Sequence, residues 1–83
     1  PLRINVKKPK KDEAYLLIKK RKSNFKNFYY LSKVKDIKEA AKNLYSTLRK
    51  IKNDGFKKIA VEKIPSKGLG KTINDRLRRA SKY

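Results

Sequence analysis

Ile64-Pro65-Ser66-Lys67-Gly68-Leu69-Gly70-Lys71-Thr72-Ile73-Asn74-Asp75-Arg76-Leu77-Arg78-Arg79-Ala80 reads as a strand exit, a glycine-bearing turn and a basic helix. Pro65 has no amide to give to a central ladder, so a strand arriving there must stop. Gly68 and Gly70 allow the positive φ that a tight turn demands. The spacing predicts Thr72 as the helix cap, with Asp75 three residues on in a capping-box arrangement. Ile73, Leu77 and Ala80 then share one narrow apolar face, with Arg76, Arg78 and Arg79 around the rest. Asn74 is placed to hold the glycine turn by side-chain hydrogen bonding. Asp75 is spaced to pair with Arg78 or Arg79, which would leave the arginines as a solvated face or as a docking surface.

Gly70-Lys71-Thr72 is also the tail of a phosphate-binding P-loop. The full pattern needs a glycine five residues earlier, so that successive amides wrap a phosphate. Pro65 stands there and opposes the wrap. A glycine turn that starts a helix is the reading expected here. Nucleotide binding through Gly68, Gly70, Lys71 and Thr72 is the alternative.

Working back from this stretch, Asp36 and Glu39 form a capping box. The helix predicted from it runs over residues 37–53, with Ile37, Ala40, Ala41, Leu44, Leu48 and Ile51 on one face. Tyr45 lies at the edge of that face, and Lys38, Lys42, Arg49 and Lys52 point to water. Gly55 supplies the left-handed stop. Residues 56–64 then return as a strand centred on Ile59, Ala60 and Val61, which implies a right-handed crossover. Upstream, residues 2–6 alternate apolar and polar, and residues 14–18 form a continuous apolar run, the mark of a strand buried on both faces. Residues 27–31 are a third strand rich in aromatics. Phe28 and Tyr30 are assigned to the core, leaving Tyr29 pointing the other way as a candidate for stacking. The fold class is α/β: a small two-layer or three-layer Rossmann-like domain of three to four mostly parallel strands and two helices, with the last helix over the other face or an edge.

Eighty-three residues make one domain, and a chain this short buries only about 60% of its unfolded surface. Neither cysteine nor histidine occurs, which removes disulfides, thiolate zinc sites, serine–histidine triads and imidazole acid–base chemistry. The seven acids are scattered, and the one adjacent pair, Asp12 and Glu13, lies on a strand where neighbours face opposite ways. No catalytic residue and no metal ligand set is expected. No apolar run approaches the roughly 20 residues that span a bilayer, and the default compartment is the cytoplasm. The net charge of +19 points to a polyanion such as RNA. Lys19, Lys20, Arg21 and Lys22, followed by Tyr29, are the candidate RNA contacts, because basic residues interleaved with aromatics neutralise and stack a single strand. Against a dedicated face, 20 of the 26 basic residues are lysines spread along the whole chain, as compositional drift would produce.

The closing stretch carries a family resemblance. Pro65, Gly68-Leu69-Gly70 and Ile73-Asn74-Asp75-Arg76-Leu77-Arg78-Arg79-Ala80 resemble the end of the Sua-type C-terminal domain of the long-form L-threonylcarbamoyladenylate synthases. Ala40-Ala41-Lys42-Asn43-Leu44-Tyr45 with Leu48-Arg49, Gly55-Phe56 and Ile59-Ala60-Val61 resemble the family's helix and following strand. Pro1-Leu2-Arg3-Ile4-Asn5 is similar to the point where that domain begins after its linker. Lys71 departs from the small or apolar residue of the family pattern, and residues 19–34 match weakly.

The resemblance implies that residues 1–83 are one accessory domain, packed against an N-terminal YrdC-type catalytic domain that is absent from this chain. It implies that Gly68, Gly70, Asn74, Asp75, Arg76, Arg78 and Arg79 serve the turn and docking. It also implies that ATP and magnesium belong to the parent enzyme rather than to this chain. The parent activity condenses threonine, bicarbonate and ATP for the N6-threonylcarbamoyl modification of adenosine 37 in tRNA. A stand-alone RNA- or ribosome-binding module is the other class of function left open.

Overall fold

The computed structural model describes residues 2–19, 27–32 and 34–80. In chain order they form β1 (Leu2–Arg3), β2 (Glu13–Leu17), β3 (Phe28–Tyr30), α1 (Ile37–Asn53), β4 (Lys58–Val61) and α2 (Leu69–Ala80). The four strands make one parallel sheet in the order β1-β4-β2-β3. β2 and β4 are the inner pair, with Ala14 opposite Ile59 and Leu16 opposite Val61.

α1 forms where the capping and periodicity place it. The Asp36 carboxylate accepts from the amides of Lys38 and Glu39 at 3.0 and 3.4 Å. At the other end Gly55 takes φ +95°, the Phe56 amide reaches the Ile51 carbonyl, and the Gly55 amide reaches that of Lys52. That is the paired bonding of a glycine-stopped helix.

One face of the sheet carries both helices. Ala14, Leu16, Ile18 and Val61 pack there with Leu44 and Ile51 of α1 and with Ile73 and Leu77 of α2, all of them buried. The domain therefore has two layers, and α2 lies beside α1 instead of covering the other face or an edge. Width explains this. Three gaps between strands span about 14 Å, more than one helix covers at an interaxial spacing of about 8–10 Å.

The opposite face is closed by the crossover strap of residues 5–12. Val6 is buried there with Tyr15, Leu17 and Ala60, and Phe28 and Tyr30 pack at the margin. The Tyr15 hydroxyl donates to the carbonyls of Val6 and Lys7, at 2.5 and 3.2 Å. Arg3 grips Glu13 with two bonds, at 2.9 and 2.6 Å, and the Lys10 amide adds a third. This clamp holds the Glu13 carboxyl down at about 2, the Arg3 hydrogen bond being the main cause.

The strands are shorter than the sequence pattern suggests. β1 stops at Arg3 because Asn5 turns the chain at φ +57°, although the Val6 amide rejoins the sheet edge at the Val61 carbonyl, 2.8 Å away. β4 covers residues 58–61 of the expected 56–64 and ends well before Pro65. The aromatic strand alternates as expected but presents the opposite sides. Tyr29 faces the helices, and Phe28 and Tyr30 face the strap. Both faces of this sheet are apolar, so alternation alone cannot say which side is the larger core.

Candidate functional site

The turn between β4 and α2 is built as a lock. Gly68 sits at φ +55°, and the Gly70 and Lys71 amides donate to the carbonyls of Lys67 and Gly68 at 3.0 and 3.1 Å. These bonds start α2 at Leu69, three residues ahead of the cap predicted at Thr72. Gly70 is buried against the preceding segment: a Cβ there would stand 2.0 Å from the Pro65 carbonyl oxygen. Asn74 is buried, and its side-chain nitrogen donates to the Ile64 carbonyl and the Ser66 hydroxyl, both at 2.8 Å. It ties the strand exit to the helix, as its position suggested. The amides of Gly70 and Lys71, which a P-loop would turn toward a phosphate, are engaged inside the turn. The Lys71 ammonium lies 3.7 Å from Asp75.

Beyond the lock, α2 distributes its charges around its axis. Asp75 stands 3.7 Å from Lys71 and 3.6 Å from Arg78, exposed pairs of little energetic weight. Arg76 turns to α1 and lies over the Tyr45 ring, 5.8 Å from its centroid. Arg79 is exposed. Gly68, Gly70 and Asn74 thus form one structural knot, whereas Arg76 and Arg79 reach the outer surface of the helical layer.

Of the candidate RNA contacts, Lys20, Arg21 and Lys22 lie outside the described residues. Lys19 is exposed at the carboxyl end of β2, where it lines a cavity of about 130 Å³ with Lys35, Glu62 and Lys63. Tyr29 is half-buried, its ring edge-on to Phe56 at 6.0 Å and its hydroxyl donating to Asp54 at 2.6 Å. Burial, with the Asp54 carboxylate beside it, pushes the phenol up to about 12. The same bond lowers the Asp54 carboxyl. Tyr29 therefore braces the end of α1 against β3, and its ring is not free-standing.

Three features had no place in the sequence reading. One is the Arg3–Glu13 clamp across β4, which no spacing rule links. Another is the Tyr45–Arg76 stack, whose signal was Tyr45 standing among Lys38, Lys42, Arg49 and Lys52. The last is an apolar cavity of about 480 Å³ at the β1 edge, lined by Leu2, Leu48, Lys52, Phe56, Ile59 and Ala80 among others. Among the described residues no group of three or more carboxylates, histidines or cysteines could hold a metal ion. No helix among them is long and apolar enough to cross a membrane.

A family model described as the threonylcarbamoyl-AMP synthase C-terminal domain matches residues 2–82. No curated protein and no solved structure matches the chain. A match over nearly every residue, on a parallel sheet whose final turn is locked by Gly70 and Asn74, decides the family: this chain belongs to the C-terminal domains of threonylcarbamoyl-AMP synthase.

Proposed function

We propose that this domain is a non-catalytic accessory of an L-threonylcarbamoyladenylate synthase. In this reading a YrdC-type catalytic domain of the same protein condenses threonine, bicarbonate and ATP to threonylcarbamoyl-AMP and releases pyrophosphate. The product serves modification of adenosine 37 in tRNA, in the cytoplasm. ATP and magnesium belong to the catalytic domain. The observation that carries the reading is the family match over residues 2–82. The lock at the β4–α2 turn supports it, because Gly68, Gly70 and Asn74 are occupied with packing and hydrogen bonding inside the domain. The arginines of α2 and the edges of the layer are then the parts available to the catalytic domain. Weak electrostatic contact with tRNA follows from a net charge of +19.

The test is threonine-dependent pyrophosphate release from these 83 residues alone, with ATP, bicarbonate and magnesium supplied. No release above background is expected, and release by the isolated chain would overturn the non-catalytic reading. A second arm adds the chain to the separately purified catalytic domain. Co-elution of the two on size exclusion is expected, and its failure at micromolar concentration would count against docking.

A further inference from the structure

Five side chains of α1 recur at i, i+4, i+7, i+11 and i+14: Lys38, Lys42, Tyr45, Arg49 and Lys52. On a helix these positions form a single stripe, and all five are exposed. Among the described residues none of the four cations is in an ion pair. The carboxylates that neutralise exposed lysines and arginines pair with other cations: Glu13 with Arg3, Asp54 with Lys50, Asp12 with Lys58, and Asp75 with Lys71 and Arg78. Tyr45 stands in the middle of the stripe. It is the one aromatic ring among the described residues that is exposed, at 56%, and Arg76 of α2 already lies over it. The stripe then runs into the apolar cavity of about 480 Å³, since Lys52 belongs to both and Leu48, Phe56 and Ala80 form the cavity wall near it.

We propose that this outer face of the helical layer binds a short single-stranded RNA segment. The Tyr45 ring and the Arg76 guanidinium stack with one base. Lys38, Lys42 and Arg49 contact the phosphates, and the cavity beyond Lys52 seats a neighbouring base against Phe56. A stacking ring inside a row of unpaired cations is the chemistry that holds single strands with little regard to sequence. An anionic membrane would call for several apolar side chains to insert, and here a single tyrosine stands proud. A duplex offers no free base face to Tyr45. The stripe is about 21 Å long, at about 1.5 Å per residue, enough for a few nucleotides. The proposal does not depend on the synthase reading, and its failure would leave that reading untouched.

The test is fluorescence anisotropy of labelled oligouridylate and oligoadenylate, titrated with the full chain at two salt concentrations. The single strands are expected to bind more tightly than a duplex of the same length, with affinity falling steeply as salt rises. Tyr45→Ala is expected to weaken single-strand binding roughly tenfold, and Tyr45→Phe to retain it. Lys42→Gln with Arg49→Gln is expected to weaken binding more than Lys7→Gln with Lys8→Gln, which removes the same charge from the strap on the opposite face. Circular dichroism on each variant verifies that it is folded. Unchanged binding by Tyr45→Ala, or equal losses from the two charge-neutralised pairs, would overturn the proposal. So would a duplex, polyglutamate or phosphatidylserine vesicles binding as tightly as the single strand.

Discussion

Replacing Gly70 by alanine sets two opposed effects against each other, and the structure decides between them. In a generic helix the change helps, by up to about 1 kcal/mol. Here the new Cβ would stand 2.0 Å from the Pro65 carbonyl oxygen, and ordinary contact begins at 3.4 Å. The obstacle is backbone, which cannot rotate aside, so α2 and the 64–66 segment must part by about 1.4 Å, the difference between those two distances. That movement stretches both Asn74 bonds, now 2.8 Å, beyond hydrogen-bonding length. Overpacking costs about 1–3 kcal/mol, and the buried groups left unpaired cost about 1–3 kcal/mol more. After the helix-propensity gain, a net loss of about 1–5 kcal/mol is expected. An unfolding entropy of about 2.1 cal/mol/K per residue over the whole chain converts this to a fall in Tm of roughly 6–29 °C. Urea and thermal unfolding followed by far-ultraviolet circular dichroism measure it. Because both changes break the same lock, Gly70→Ala with Asn74→Ala should cost less than the sum of the single variants. A Gly70→Ala protein as stable as the parent, or more so, would refute this reasoning.

Three further outcomes are expected. The Glu13 carboxyl is depressed in the folded state to about 2 from an ordinary 4.5. The Arg3 clamp therefore contributes its stability above about pH 4.5, and loses it as pH falls toward 2; Glu13→Gln should flatten that part of the stability profile in acid unfolding titrations. Tyr29 shifts the other way, to about 12 from 10.0, so its contribution is complete below pH 10 and fades as pH rises through 12. In an ultraviolet tyrosinate titration, Tyr29→Phe should remove a step near pH 12 and lower stability by about 0.5–1.5 kcal/mol. Asp36→Ala strips the α1 cap from the Lys38 and Glu39 amides and should cost about 1 kcal/mol, a drop in Tm of about 4–8 °C.

The local elements were legible wherever a short-range signal is decisive. α1 could be read to the residue, because Asp36 and Gly55 act on amides and carbonyls only a few positions away. Asn74 could be read as a tie to the turn for the same reason, whereas the strand stops at Val61, short of the barrier expected at Pro65. Thr72 as a cap failed because Gly68 nucleates the helix sooner, through carbonyls that become available only once the turn has taken its left-handed shape. Ser66 and Ile64 as Asn74's partners, and the close approach of Gly70 to Pro65, likewise needed the folded turn.

Periodicity and capping alone determined that this chain combines strands with two amphipathic helices and that a glycine turn leads into the last of them. Charge and composition determined that it is strongly basic and carries neither histidine nor cysteine. Only the tertiary structure decided that both helices share one face, that Tyr29 faces them, and that Arg3 meets Glu13 across β4. It alone brought Arg76 over Tyr45. The reason is range: a period or a cap reports on neighbours along the chain, whereas the side of a sheet that is covered, and the side chains that meet there, depend on the order in which distant strands pair.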